Sequence, residues 1–198
     1  MGKQILITIS REFGSAGHEI GEKLANKLGI KFYDRAMLDE LSQMHNIEEG
    51  LIYKYDEKPK IPFVSRTVWG YSNSLEDMVY ELQSSYIRSK ADDGESFVLV
   101  GRCGETVLSG REGLVTVFVR GNEEEKIERV MRIYSLSRED AISKMHRHDR
   151  KRKAYHNHRS NFKWGHASGY DLCLDSSPIG VDNSVNVIAA YVNAFREQ

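Results

Sequence analysis

The sequence predicts an α/β fold in which a parallel, five-stranded sheet is flanked by helices. Two observations lead to this prediction. The strand-like segments are near-continuous apolar runs, which are typical of parallel strands buried on both faces. Helical patterns separate these runs, and a regular alternation of strand and helix is typical of a parallel sheet covered on both sides. A chain of 198 residues is expected to form a single domain, 1–198.

Each strand is predicted from a short run of Val, Ile, Leu or aromatic residues. The first run is ILITI, and the later ones include FVLV and VTVFV. The five predicted strands are 5–9, 31–33, 97–100, 115–119 and 170–174.

The helices are predicted from apolar residues that recur every three or four positions. Asn122 and Ser137 precede acidic first turns, and both residue types favour the position before a helix. Pro59 and Pro62 interrupt the less regular stretch 45–74, which is predicted to leave the sheet. The predicted helices are 19–28, 36–44, 75–89, 123–133, 137–159 and 181–195.

Composition narrows the class of protein. The 28 Lys and Arg residues nearly balance the 29 Asp and Glu residues, so no overall field attracts nucleic acid or a membrane. Cys103 and Cys173 lie far apart without a CxxC pair, which argues against a disulfide framework or a zinc site. No uncharged run is long enough to span a bilayer, so no membrane partner is expected. We expect a cytoplasmic protein.

The turn after the first strand has the layout of a phosphate cradle. Gly14 and Gly17 lie between a strand and a helix, where backbone N–H groups meet an anion. The pattern G-x-x-x-x-G-K-[ST] is met in neither register, because counting from Gly14 puts Ile20 at the lysine and alignment by strand length puts Gly17 there. Arg11 and His18 are the nearby cations, and Glu19 or water would address magnesium. The alternative is that both glycines merely form a tight turn.

A dinucleotide site is a second alternative for this turn. Asp34 lies about twenty residues beyond the glycines, as that fingerprint requires. The glycine spacing is nevertheless G-x-x-G-x-x-x-G instead of G-x-G-x-x-G. Phosphate-loop chemistry is therefore favoured.

Residues suited to a polyanion follow several predicted strands. Ligands of open parallel sheets bind beyond the carboxyl ends of the strands. The segments at these ends are Ser10 to His18, Asp34 and Arg35, Gly101 and Arg102, Arg120 and Gly121, and Asp175 to Ser177. Arginine, glycine, aspartate and hydroxyl groups are what a nucleotide and its metal would need.

A basic segment, 144–165, carries eight Lys or Arg residues against the single Asp149. It is interpreted as a solvated helix face, as an RNA-binding patch, or as a lid that brings cations over a triphosphate. Arg150 and Arg152 lie in one turn just before the last strand, which favours the lid. Its four histidines lack a recognisable metal-ligand spacing, so we expect them to face solvent and not to hold a structural metal.

Several short motifs carry a resemblance to a known family. They are ISREFGSAGHEIG at 9–21, FYDR at 32–35, GR at 101–102, DRKR at 149–152 with Tyr155, WG at 164–165, YDL at 170–172 and LDSSPIG at 174–180. In order and spacing they resemble the cytidylate kinase-like family, a branch of the P-loop nucleoside monophosphate kinases. The resemblance implies one P-loop kinase-like domain, with a helical acceptor-binding insertion at about 45–95 and a basic lid at about 140–168.

The resemblance also implies an activity, the transfer of the γ-phosphoryl group of ATP, with Mg²⁺, to a nucleoside monophosphate, cytidylate being the first expectation. The implied ATP-binding residues are Arg11, Gly14, Ser15, Ala16, Gly17, His18 and Glu19. The implied acceptor-binding residues are Asp34, Arg35, Arg102 and Asp149, and the implied catalytic residues are Arg11, Arg150 and Arg152.

Two departures from the family pattern bear on this expectation. The loop lysine is missing, and Cys103 stands where related enzymes have an acidic residue. A different class therefore remains open, a nucleotide-binding sensor or regulator without catalysis. RNA is the less favoured partner, and the sequence gives no indication of the oligomeric state.

Overall fold

The computed structural model describes residues 3–56, 67–68, 71–72 and 74–197. Pro59 and Pro62, from which a departure from the sheet was predicted, lie outside these described residues.

The described residues contain a five-stranded parallel sheet, as the sequence predicted. Five of the described strands form this sheet. The described strands are β1 (Leu6–Arg11), β2 (Lys31–Tyr33), β3 (Thr67–Val68), β4 (Tyr71–Ser72), β5 (Phe97–Val100), β6 (Leu114–Arg120) and β7 (Leu172–Asp175). The sheet order is β2-β5-β1-β6-β7, while β3 and β4 form a separate antiparallel pair. Central β1 pairs with β5 on one side and with β6 on the other, so the turns that follow these three strands are neighbours.

Helices cover both faces of this sheet. They are α1 (Gly17–Leu28), α2 (Met37–His45), α3 (Glu49–Tyr55), α4 (Leu75–Asp92), α5 (Gly104–Val107), α6 (Glu123–Tyr134), α7 (Arg138–Arg159) and α8 (Gly180–Arg196). Both predicted N-caps are present: the side chain of Asn122 accepts from Glu124 N, and that of Ser137 accepts from Asp140 N. Such caps each stabilise a helix by about 1 kcal/mol.

The apolar runs are continuous because successive residues of a strand face opposite layers. On one face, Ile7 and Ile9 pack with α1 and α8 residues such as Leu24 and Ile188. On the other face, Leu6 joins a cluster with residues of α2 and α4. Burying each such aliphatic side chain contributes about 1.5–3 kcal/mol.

A third, smaller cluster fixes the position of α7 beside the opening loop. It combines Phe13 from that loop with Ile127 and Val130 of α6 and with Ala141 and Met145 of α7. The basic segment thus begins as a helix packed against the loop that the sequence predicted to bind phosphate.

Candidate active site

The loop between β1 and α1 is held in a shape that only small residues allow. Gly14 has a φ of +88°, and a Cβ there would lie 3.0 Å from the carbonyl oxygen of Lys126. Ala16 also adopts the left-handed region, with φ 63°. The first amides of α1 have no partner within the helix and are directed out of its N-terminus, as an anion site requires.

Serine hydroxyls fix this loop from beneath. Ser15 Oγ donates to the carbonyl oxygens of Glu12, at 2.9 Å, and Val119, at 3.1 Å. Ser176 Oγ in turn donates to the carbonyl oxygen of Ser15, at 2.8 Å. The Ser15 side chain is therefore buried under the loop, where it holds the loop's shape.

Two cavities flank the loop. One, of about 460 Å³, is lined by residues that include Gly14, Ala16, Arg129, Arg132, Ser176 and Ser177. The other, of about 420 Å³, is lined by residues that include Arg11, Phe13, Gly17, His18, Glu19 and Arg152. Both volumes lie in the usual range for small-ligand sites, about 300–1,000 Å³. Each of the predicted ATP-binding residues lines at least one of these two cavities.

The side chain of Arg11 crosses from the opening loop to the turn after β5. A Cβ at Gly17 would lie 2.5 Å from Arg11 Cβ and 2.9 Å from Arg11 Cγ. A Cβ at Gly101 would overlap Arg11 Nη1. The stem of Arg11 therefore lies against one glycine and its guanidinium against another.

Two other predicted loop residues are engaged by neighbours. His18 Nε2 lies 2.7 Å from Asp34 Oδ2, and a hydrogen bond from His18 lowers the pKa of Asp34 below its ordinary value. Glu19 pairs with Arg129 and, at 3.6 Å, with Lys23. His18 and Asp34, predicted to contact different substrates, are therefore brought into direct contact.

The turn after β5 is strained. Gly101, Arg102 and Cys103 have consecutive positive φ angles of 83°, 62° and 51°. Such a conformation costs a residue other than glycine about 1–3 kcal/mol. This turn directs the Arg102 side chain inward, where it is only 3% exposed.

Arg102 meets a carboxylate that sequence reasoning missed. Asp56, at the end of α3 and also 3% exposed, pairs with Arg102. Asp56 also accepts from Arg35 Nε, at 3.0 Å, and from Gln83 Nε2, at 3.2 Å. Both predicted acceptor-binding arginines therefore converge on one protein carboxylate. No local motif marked Asp56, because its partners come from three distant segments.

Residues of α7 hold the tip of the opening loop. Asp149 Oδ1 accepts from the backbone N–H of Phe13, at 2.7 Å, and burial raises the pKa of Asp149. The guanidinium carbon of Arg152 lies 5.4 Å from the centre of the Phe13 ring, and its Nη1 donates to the carbonyl oxygen of Arg11, at 3.4 Å. His148 stacks on Phe13 at 4.4 Å, and burial lowers the pKa of His148 to about 4.

The end of α7 is anchored by two contacts between largely buried polar side chains. His156 Nε2 lies 2.9 Å from Glu105 Oε1, both side chains being nearly inaccessible, and Arg159 pairs with Asp77. The prediction that all four histidines face solvent was therefore wrong for His156, which is buried, and for His148, which is half-buried. His146 and His158 are exposed. Glu105 was also missed, although it follows the predicted Gly101 and Arg102 closely in sequence.

Three of the predicted arginines meet at one place. Arg11, Arg102 and Arg152 line a narrow cleft of about 20 Å³ together with residues that include Cys103, Tyr155 and Trp164. Arg150 is exposed on α7 and does not line this cleft. The three arginines make the surroundings of this cleft positively charged, and the Arg102 guanidinium already pairs with Asp56 there.

Two further observations concern the described part of the chain. Within it, no three His, Cys, Asp or Glu residues are grouped so that they could hold a metal ion. Among its helices, none has the length and apolar character needed to cross a bilayer.

A parallel sheet whose central strand leads through a small-residue loop into a helix is the architecture of the P-loop kinases. Solved structures agree with that class. Shikimate kinase from Bacteroides thetaiotaomicron superposes with a TM-score of 0.56 at 12% identity, over 96% of this chain and 98% of that one. Shikimate kinase from Aquifex aeolicus gives a TM-score of 0.51 at 17% identity, over 96% and 97%.

The chain itself matches the cytidylate kinase-like family over residues 6–178, and it belongs to that family. An uncharacterized protein from Eubacterium ventriosum ATCC 27560 is 31% identical, with a TM-score of 0.77 over 96% of this chain and 99% of that one. A search of curated proteins found no match. Family and fold together support a phosphotransferase of the kinase type.

Proposed function

We propose that this protein transfers the γ-phosphoryl group of ATP to a nucleoside monophosphate, with cytidylate as the first candidate. The observation that carries the proposal is the meeting of Arg11, Arg102 and Arg152 in one cleft beside the glycine-bearing loop. In this proposal residues 1–198 act as one domain, with an acceptor-binding insertion at about 45–95 and a basic lid at about 140–168. The free cysteines Cys103 and Cys173 suit a reducing cytoplasm.

ATP would bind around the opening loop. Its phosphates would accept hydrogen bonds from backbone amides of the segment from Gly14 to Glu19, at the N-terminus of α1. Its nucleoside would occupy the cavity of about 460 Å³, between Arg132 and the serines that follow β7. This arrangement leaves the terminal phosphate facing the arginine cleft.

The acceptor would bind on the side of α2 to α4. Arg35 and Arg102 both hold Asp56, and a carboxylate offers these groups the same anionic oxygens as a phosphate does. We therefore propose that the phosphate of the acceptor takes the place of Asp56 when it binds. Asp34, next to Arg35 in sequence, would contact the sugar or the base.

The protein would assist the transfer mainly by positioning the reactants and supplying positive charge, and it would form no covalent bond with them. An oxygen of the acceptor phosphate would attack the γ-phosphorus, and the bond between that phosphorus and the bridging oxygen of ADP would break. Arg11 and Arg152 would stabilise the charge that develops on the transferred group. Asp149 would position α7 through the Phe13 amide, and Arg150 would approach the phosphates only with movement of α7.

Magnesium fits this site if most of its ligands come from water and phosphate. Two carboxylates beside the loop are Glu19, 40% exposed, which pairs with Arg129, and Asp34, 23% exposed, which lies against His18. Mg²⁺ commonly keeps several waters and takes only one or two protein carboxylates. Glu19 and Asp34 would then hold the ion through water, and the bound ion would supply positive charge for the phosphates.

Turnover tests the proposal. ADP release should be stimulated by at least one nucleoside monophosphate, and Arg152→Ala should lower kcat by about 10²- to 10³-fold, the cost of removing one transition-state donor. The KM for ATP should change much less. Arg147→Ala, an exposed arginine on the same helix, is the matched control and should leave turnover intact. Equal losses in kcat and ATP affinity would contradict a transition-state role for Arg152.

A second candidate function is a nucleotide-binding sensor, which the glycine at the usual lysine position favours. The same assay separates the two functions. If ATP binds but no acceptor stimulates ADP release, the sensor is the better description.

A further inference from the structure

We infer that Arg11 supplies, from the end of β1, the positive charge that phosphate loops usually carry on a lysine in the first turn of the following helix. The inference rests on the proposed binding of a nucleoside triphosphate at this loop. Position 17 is then glycine because Arg11 occupies the space that a side chain there would need.

The space beside Gly17 is occupied by the side chain of Arg11. Alignment by strand length places Gly17 where the lysine usually stands. Arg11 Cβ and Cγ would lie only 2.5 and 2.9 Å from a Cβ at position 17, well inside normal contact. No positive φ restricts Gly17 to glycine, so the obstruction comes from Arg11 and not from the backbone. Two side chains cannot share this space, and Arg11 has it.

The side chain of Arg11 extends from the opening loop toward the turn after β5. From Gly17 the Arg11 side chain runs to Gly101, where even a single Cβ would overlap its Nη1. Arg11 lines both the cavity beside the loop and the arginine cleft, so it reaches from one to the other. A phosphate chain that extends from the loop toward Arg102 and Arg152 would pass along this guanidinium.

Three other basic side chains at the loop contact carboxylates. His18 lies against Asp34, Lys126 Nζ lies 2.8 Å from Glu12 Oε2, and Arg129 pairs with Glu19. Each of these three side chains is therefore directed to a neighbouring carboxylate. The sequence left Arg11 and His18 as alternatives for the lysine's role, and the geometry favours Arg11, because the His18 ring is directed to Asp34.

The replacement changes the kind of contact. A lysine presents a compact charge on a flexible stem, whereas the guanidinium is a planar fork that can hold two phosphate oxygens at once. With its stem packed against Gly17, Arg11 is also ordered before the ligand arrives, so less side-chain freedom is lost on binding.

Calorimetric titration tests the inference with two probes, a non-hydrolysable ATP analogue with an imido bridge and AMP, which lacks the outer phosphates. Arg11→Ala should weaken binding of the analogue by about tenfold to a hundredfold, since charged hydrogen bonds are lost, and should leave AMP binding nearly unchanged. His18→Ala should weaken analogue binding less. Thermal unfolding of each variant verifies that it is folded.

A charge exchange makes the test specific. Gly17→Lys alone should weaken analogue binding, because the new side chain meets Arg11, whereas the double variant Arg11→Gly with Gly17→Lys should recover at least tenfold over Arg11→Ala. The inference is overturned if Gly17→Lys alone binds like the wild type, if Arg11→Ala binds the analogue normally, or if the wild type does not prefer the analogue to AMP. These results need no turnover, so the absence of an acceptor in the kinase assay would refute the proposed function and leave this inference standing.

Discussion

Protonation of His148 should release part of the contact between α7 and the opening loop. The ring of His148 stacks on Phe13 with an interplanar angle of 12°, in a half-buried position. Burial and then the positive charge of Arg152 lower its pKa from 6.5 to about 4. In the folded protein the ring is therefore neutral at a pH where the unfolded chain already binds a proton.

The sign and size of the effect follow from this difference. Because His148 is a base whose pKa is lowered by folding, stability is full above about pH 6.5, falls as the pH drops toward 4, and stays low below that. The shift corresponds to about 2 kcal/mol of lost stability at pH 5 if it is taken in full. Discounted for solvent screening of a half-buried ring, we expect about 1 kcal/mol.

Urea unfolding of the wild type and of His148→Phe, at pH 7.5 and at pH 5, measures the effect. The phenylalanine ring keeps the stacking and cannot titrate, so the variant should lose about 1 kcal/mol less than the wild type on acidification. His146→Phe, at an exposed histidine of the same helix, is the control and should behave like the wild type. If wild type and His148→Phe lose the same stability between the two pH values, the reasoning from burial is refuted.

Two other predictions concern the acceptor side and the loop. Asp56→Asn should lower the KM for the acceptor phosphate, because a carboxylate no longer competes for Arg35 and Arg102. The substitution should cost about 3–5 kcal/mol of stability, since one side of a buried ion pair is lost. An unchanged KM in a folded variant would show that the acceptor does not meet these arginines. Gly14→Ala should destabilise the protein by about 1–2 kcal/mol, because the alanine would have to adopt a φ of +88°. The same substitution should weaken binding of the ATP analogue. Unchanged unfolding and unchanged binding would mean that the loop adapts to the added methyl group.

The sheet was predictable from the sequence because burial on both faces imposes a local signature. Phe97–Val100 and Lys31–Tyr33 have the predicted bounds, while β6 extends one residue further at each end, to Leu114 and Arg120. The helix starts at Asn122 and Ser137 were equally local, since a capping side chain acts on an amide two or three residues away. A structural feature can therefore be predicted from the sequence when its physical cause lies within a few residues.

The pairing of charges at the site was not predictable in this way. The carboxyl-end rule located Arg11 and Arg102, but Asp56 reaches Arg102 from another helix, and nothing near Asp56 in sequence indicates a partner. His156 likewise lies against Glu105 of α5, a residue about fifty positions away in the chain. Sequence spacing shows which residues share a helix, whereas the choice of face depends on the neighbouring elements.

The central place of β1 has a consequence for how the protein is made. Leu6 pairs with Phe97 on one side and with Leu114 on the other, so β1 can pair only after segments much later in the chain have been synthesised. Such distant pairings slow folding, and the waiting strand exposes an apolar edge meanwhile. The loop that follows β1 takes its shape only once these neighbours arrive, so nucleotide binding would report completed folding and not an early intermediate.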